Sequence, residues 1–189
     1  MNTSRFFVCI AISFFIFSIA PAQSFTGYDI HVHLKDYHSG KLYMGNYYGQ
    51  QTYLIDSAEM NNQGEATFKG KDTLEGGIYF VLLPLKQRYF EFLIDRDQYF
   101  SITADTAEGF QNISFTNSPD NVLFTGYNHF LRKEQEKIAE AKKAGDDSTV
   151  ANQLQEKAGK EIREFRIRFQ KDHPQALLSM IFHAMEDPV

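Results

Sequence analysis

Cysteine is nearly absent from this sequence, which has one cysteine, Cys9, and no tryptophan in 189 residues. Cys9 lies inside an apolar run at positions 6–19, which follows Arg5 and precedes the small residues Ala20 and Ala22. A positive residue, a short apolar run and small residues at a cleavage position are typical of a secretory signal peptide. We therefore predict that residues 1–22 are a signal peptide and that the exported chain has no cysteine. Disulfide bonds and thiol chemistry are then excluded from the exported residues.

The sequence also lacks an excess of positive charge and every common catalytic motif. Lys and Arg total 19 against 24 Asp and Glu, a net charge of −5, whereas nucleic-acid binding needs a surplus of clustered Lys and Arg. There is no G-x-S-x-G, H-E-x-x-H, G-x-G-x-x-G or phosphate-loop motif. We predict a protein that does not bind nucleic acid, is not an enzyme and uses no cofactor.

The first half of the chain contains alternating apolar and polar residues. Ile30, Val32 and Leu34 alternate with polar residues, as in a strand with one buried face. Positions 78–83 are continuously apolar, as in a central strand, and Pro84 ends that run. Such short segments, with no helix between them, predict an antiparallel β-sandwich of about eight strands over residues 25–118. The other predicted strands lie near residues 42–48, 52–57, 66–68, 90–94, 100–102 and 113–115.

The second half of the chain has helical periodicity. Ser118, Pro119 and Asp120 suit the start of a helix, because they supply a cap, a fixed φ and a negative charge. A later segment places Leu154, Ala158, Ile162, Phe165 and Phe169 at steps of three and four residues, which puts them on one helical face. We predict a helical hairpin and a third short helix over residues 119–189, and hence an α+β fold in two domains.

Two histidines are the candidate metal ligands. His31 and His33 are two residues apart on a predicted strand, so they share a face and could chelate a metal ion if His38, Asp29 or a residue of a neighbouring strand completed the site. The alternative is a solvated polar strand face. Asp95, Asp97 and Asp105 could bind calcium, although aspartates in turns more often accept local hydrogen bonds.

Four tyrosines suggest a binding surface. Tyr43, Tyr47, Tyr48 and Tyr53 lie on two adjacent predicted strands and could stack on a glycan or contact a protein. The alternative explanation is packing between half-buried aromatic neighbours on the two strands. An enzyme that uses Asp95, Asp97 or Glu91 is a third possibility, which would need a cleft that separates the carboxyl pKa values.

Several short stretches of the chain resemble a known family. They are residues 42–49 (LYMGNYYG), 56–58 (DSA), 68–70 (FKG), 76–79 (GGIY) and 90–95 (FEFLID), with Asp97 and Gln98. In these stretches the chain resembles the N-terminal accessory region of exported thioredoxin-like TlpA-type thiol:disulfide oxidoreductases. That region consists of a β-rich domain of unknown function and a helical segment.

The resemblance implies a non-enzymatic accessory or scaffold module of the cell envelope. The catalytic Cys-x-x-Cys pair of that family belongs to a thioredoxin domain, which we expect this chain to lack. The expected partner is an envelope protein or a thioredoxin-like domain, with no stable membrane span once the signal is cleaved. The expected location is the periplasm or cell envelope. The alternative from the residues themselves is an exported β-sandwich that binds a small ligand, either a glycan or a metal.

Overall fold

The computed structural model describes residues 26–35, 37–84, 89–105, 112–143 and 148–186. The predicted signal peptide, residues 1–22, lies outside these residues. Eight strands precede three helices, so the predicted α+β fold, a sandwich followed by helices, is confirmed. In chain order the elements are β1 (Tyr28–Leu34), β2 (Gly40–Tyr48), β3 (Gln51–Met60), β4 (Glu65–Gly70), β5 (Gly77–Leu82), β6 (Tyr89–Ile94), β7 (Tyr99–Asp105), β8 (Asn112–Thr116), α1 (Pro119–Lys143), α2 (Ser148–Asp172) and α3 (Leu177–Ala184).

The strands form two four-stranded sheets, with the orders β4-β1-β7-β8 and β3-β2-β5-β6. Neighbouring strands are antiparallel except for β1 and β7, which run parallel with Ile30 opposite Phe100. A short hairpin can join only antiparallel strands, whereas parallel neighbours need a longer connection. Five strands separate β1 from β7 in the chain, so no turn fixes their relative direction. This parallel pair is the one departure from the predicted antiparallel pairing.

The sandwich core lies between the two sheets and is built from alternate residues of each strand. Ile30, Val32 and Leu34 of β1 are all buried, as their alternation predicts. Rings from the two sheets meet at the centre, where the centroids of Phe92 and Phe100 lie 6.0 Å apart with planes inclined by 65°. Such an edge-to-face contact adds attraction to the burial of the two rings. Packing in this core therefore holds the two sheets face to face.

The helices pack against one side of the sandwich. α1 contacts β6 of one sheet and β8 of the other, while α2 and α3 pack on α1 and on each other. The Asn121 amide joins α1 to β6, because its Oδ1 accepts from the Leu93 N–H at 2.7 Å and its Nδ2 donates to the Leu93 carbonyl at 2.8 Å. Phe165 of α2 stacks on Phe130 of α1, with ring centroids 4.9 Å apart. Within the described residues, no helix combines the length and apolar character needed to cross a membrane.

Candidate functional site

The end of the β2–β3 hairpin carries the largest group of exposed hydrophobic side chains in the described residues. Five of the eleven such side chains lie between positions 47 and 55, namely Tyr47, Tyr48, Tyr53, Leu54 and Ile55. β3 is an outer strand of its sheet, and its residues 51–55 are all exposed. Neither face of β3 is therefore covered over this segment. Apolar side chains grouped in this way are typical of contact surfaces, whereas single exposed ones are not.

A β-bulge and one glycine shape this hairpin. β3 carries one extra residue, Ile55, opposite the step from Met44 to Gly45. A bulge of this kind bends the strand and increases its twist. Gly45 is needed because a Cβ at this position would overlap the ring of Phe80. The Phe80 ring can therefore lie against β2 and stay buried, although it points away from the sandwich core.

Two of the four predicted tyrosines lie on the outer face of the sheet. Tyr43 and Tyr47 share this face with Phe80, whose ring centroid lies 5.3 Å from that of Tyr47 and 6.2 Å from that of Tyr89. The Tyr47 hydroxyl donates a hydrogen bond to Glu91 Oε1 at 2.7 Å. Partial burial and this bond to a carboxylate raise the pKa of Tyr47 above its ordinary value. Tyr47 is therefore a neutral hydrogen-bond donor at physiological pH.

The other two tyrosines lie on the opposite face of the hairpin. Tyr48 is 70% exposed and Tyr53 is 47% exposed, and their rings meet edge to face with centroids 6.5 Å apart. The Tyr53 hydroxyl donates to Gln51 Oε1. The structure thus divides the predicted four-tyrosine surface into two pairs on opposite faces. It also adds exposed neighbours that sequence reasoning did not select, Leu54 and Ile55.

The histidine pair lies on the polar outer face of the other sheet. His31 Nε2 lies 3.0 Å from Asp29 Oδ1, and His31 Nδ1 lies 3.0 Å from the Thr67 hydroxyl oxygen. Lys69 Nζ donates to the second Asp29 oxygen at 2.5 Å. His33 is exposed two residues further along β1 and lines the same shallow groove of about 640 Å³. Both ring nitrogens of His31 therefore already face polar neighbours.

The three aspartates considered above as possible calcium ligands do not lie together. Asp95 and Asp97 line a cleft with Asp120 at the start of α1, whereas Asp105 pairs with Lys35 at 3.8 Å. Burial and the charges of Asp95 and Asp97 raise the pKa of Asp120. Across the described ranges, no group of three His, Cys, Asp or Glu side chains is arranged to hold a metal ion.

A further cleft, of about 460 Å³, opens between α1 and the edge of the sandwich. Its size lies within the range of small-ligand sites. Apolar side chains from β6, β8 and α1 line it together with polar side chains along α1: Phe90, Ile113, Phe115 and Leu131, then Thr125, Asn128, His129, Arg132 and Gln135. Arg132 donates to His129 Nδ1 at 2.9 Å. No sequence motif indicates this cleft, because its three walls are separate elements that only folding brings together.

Comparison with protein families places the strands in a known group. The model of the family described as "Domain of unknown function (DUF4369)" matches residues 28–124, which are 97 of the 189 residues. The chain belongs to the DUF4369 family. No curated protein matches the sequence at a significant level.

The DUF4369 match extends from the first residue of β1 into α1. It contains all eight strands and ends at Phe124, so it also includes Asn121 and its two hydrogen bonds to Leu93. The remainder of α1, together with α2 and α3, lies beyond the matched residues.

Two solved structures are similar to part of the DUF4369 chain. The crystal structure of (S)-allantoin synthase matches with 12% identity and a TM-score of 0.36, over 50% of this chain and 45% of that chain. The structure of Klebsiella pneumoniae 5-hydroxyisourate hydrolase matches with 17% identity and a TM-score of 0.30, over 49% of this chain and 93% of that chain. The chain thus covers less than half the length of the allantoin synthase.

Proposed function

We propose that this chain is a non-enzymatic accessory module of an exported thioredoxin-like thiol:disulfide oxidoreductase system, and that it binds a partner protein in the cell envelope. The observation that carries the proposal is the group of exposed apolar side chains at the end of the β2–β3 hairpin. Tyr, Leu and Ile side chains in one exposed segment supply the area that a protein contact desolvates. The partner is a thioredoxin-like domain or a protein that carries one.

The family match and the sequence resemblance support the proposal at different levels. DUF4369 membership identifies the β-rich domain. The resemblance to TlpA-type proteins is the reason for proposing that the partner belongs to a thiol:disulfide oxidoreductase system. The longest stretch of that resemblance, residues 42–49, forms most of β2 and the turn of the exposed hairpin. The apolar run at positions 6–19 supports export.

The polar sheet face supports a non-catalytic role. Asp29, His31 and Thr67 lie in the order of an acid, a base and a hydroxyl nucleophile. An ion-pair contact of 3.0 Å joins Asp29 to His31, and a hydrogen bond of 3.0 Å joins His31 to Thr67. A hydrolytic site also needs donors aimed at a developing oxyanion. β1 is paired on both sides, with β4 and with β7, so its backbone N–H groups belong to the sheet ladders. The chain of side chains is therefore better explained as the self-paired polar surface of a solvated sheet.

The partner proposal is tested by binding between the exported chain and purified thioredoxin-like proteins of the same envelope. We expect calorimetry to detect a complex, and we expect the double variant Tyr53→Ser, Leu54→Ser to weaken it by about tenfold or more, because large central contacts dominate interface energies. Thr103→Ala, on the polar face of the other sheet, is the matched control and should leave the affinity unchanged. Absence of binding to every such protein, or equal binding by the hairpin variant, would remove the proposal.

A glycan-binding role is the second candidate, because Tyr48 and Tyr53 present two exposed rings on one face. Exposed aromatic rings can stack on the apolar faces of sugars. Calorimetry against envelope oligosaccharides tests this role, with Tyr48→Ala expected to abolish any heat and Tyr43→Ala, on the opposite face, expected to preserve it. A glycan that binds both variants equally contradicts the role of this tyrosine pair.

A further inference from the structure

We propose that the cleft beside α1 binds an extended peptide, which adds a strand to the outer edge of β6 and places an acidic side chain against Arg132. This site is separate from the β2–β3 hairpin and goes beyond the proposed function. β6 is the last strand of its sheet, and no strand within the described ranges pairs with its far side. The edge of a sheet is a template for a further strand.

Asn121 identifies which backbone groups of β6 point into the cleft. Its side-chain amide bonds both the N–H and the carbonyl of Leu93, in the way that a residue of an added strand would. In an antiparallel pair, the residues whose backbone groups point away from the partner strand alternate along the chain. Glu91 and Tyr89, two and four residues before Leu93, therefore present their backbone groups on the same side.

The cleft continues along β6 from the point that Asn121 caps. Tyr89 and Glu91 are among its lining residues, and the distance from Leu93 to Tyr89 is about 13 Å at the rise of a strand. This length accommodates a short extended segment. Apolar side chains of the segment would contact the floor formed by Ile113, Phe115 and Leu131.

The charged side chains of the cleft determine whether a bound peptide should be acidic or basic. Among the described residues that line the cleft, Arg132 is the one with a permanent positive charge, and it donates a hydrogen bond to His129 Nδ1 at 2.9 Å. Glu91, the one acidic residue among the described ones that line the cleft, already accepts from the Tyr47 hydroxyl on the outer face of the sheet. A guanidinium beside apolar groups binds a carboxylate strongly, because water competes less for both ions. The fitting partner is therefore a strand-forming segment with acidic residues between apolar ones.

The probe is a dye-labelled, end-blocked pentapeptide of sequence Val-Glu-Val-Glu-Val, whose binding is followed by fluorescence anisotropy. Replacement of its Glu by Lys, or N-methylation of alternate backbone nitrogens, should each weaken binding by about tenfold, since each removes charged or ladder hydrogen bonds. Arg132→Gln should weaken binding of the Glu peptide by about tenfold. Arg168→Gln, at an exposed position of α2, is the matched control and should leave the affinity unchanged.

Two further measurements separate strand addition from other outcomes. Bound peptide should slow hydrogen exchange of the Glu91 and Tyr89 amides, and Asn128→Phe, which fills the cleft from the helix side, should abolish binding while circular dichroism stays unchanged. Leu54→Ser should not alter the affinity, which distinguishes this site from the hairpin surface. Equal binding of the N-methylated peptide would show a carboxylate site without strand addition. That result would overturn the proposal. So would Glu91 and Tyr89 amides that stay unprotected when the peptide is added, or a Glu peptide that does not bind.

Discussion

The sandwich and the helical layer are buried to different degrees. Within the part of the chain that the structure describes, the sandwich core contains 19 buried hydrophobic side chains, and its largest members, such as Phe68 and Phe92, are fully buried. The helical cluster contains seven, of which one, Leu93, belongs to β6, and Phe124 and Phe169 keep 7% of their surface exposed. Two sheets cover each other, whereas the main packing partners of α2 within the described residues are α1 and α3.

This difference indicates that the helical layer opens more easily than the sandwich. Local opening costs less where fewer apolar contacts are lost. The helices are joined to the strands through α1, whose Asn121 bonds β6 directly. We therefore expect α2 and α3 to unfold locally while the sheets remain intact.

Phe92→Ala should have the largest effect on stability. Phe92 is fully buried and contacts Phe100 from the opposite sheet, so its loss leaves a cavity between the sheets. We expect the free energy of unfolding in urea to fall by about 3–5 kcal/mol. Tyr89→Ala, on an exposed position of the same strand, is the control and should cost less than about 1 kcal/mol. Equal costs for the two variants would mean that the sandwich core does not determine stability.

Asn121→Leu should uncouple the helices from the sheet. The substitution keeps the size of the side chain but removes both partners of the buried Leu93 backbone groups. Leaving buried polar groups unpaired should cost about 2–3 kcal/mol. Hydrogen exchange should accelerate at Leu93 and throughout α1, and Asn152→Leu, at an exposed position of α2, should change neither. An unaltered exchange rate at Leu93 would contradict the role assigned to Asn121.

Much of the sandwich could be predicted from the sequence, because alternation along one strand is a local property. The same rule also separates adjacent residues onto opposite faces, so the division of Tyr47 from Tyr48 was accessible to sequence reasoning. The parallel pairing of β1 with β7 was not accessible, since it depends on contacts between distant segments. Asn121 carried no distinct signal, because it follows Asp120 in the first turn of α1, where polar residues are common. The cleft gave none, because three separate elements form it.

Phe165→Ala should affect the helical layer and leave the sandwich unchanged. Phe165 is partly buried and contacts Phe130, Tyr127 and Phe169. We expect a loss of about 1–2 kcal/mol, less than in the sandwich core, because the site is already partly solvated. Hydrogen exchange should accelerate in α2 and α3 but not in β1 or β7, and the exposed Ile167→Ala should have little effect. Faster exchange in the sheets would show that the two regions unfold together.

Asp120→Asn should have the smallest effect, and its sign depends on pH. Burial and the charges of Asp95 and Asp97 raise the pKa of Asp120 in the folded state above its ordinary value of 3.8. The folded state then binds the Asp120 proton more tightly than the unfolded state does. The wild type therefore loses stability as the pH rises from the unfolded-state pKa to the raised pKa of the folded state.

At neutral pH the Asn variant should therefore be more stable than the wild type, by about 0.5 kcal/mol, since the helix dipole offsets part of the repulsion. The difference should vanish well below pH 3.8, where both states of the wild type are protonated. Urea unfolding at several pH values measures this, with the exposed Asp72→Asn as a control that shows no such trend. A wild type that is more stable at neutral pH would mean that the dipole at the start of α1 outweighs the charges of the β6–β7 turn, and that the junction of the two regions is stabilised electrostatically.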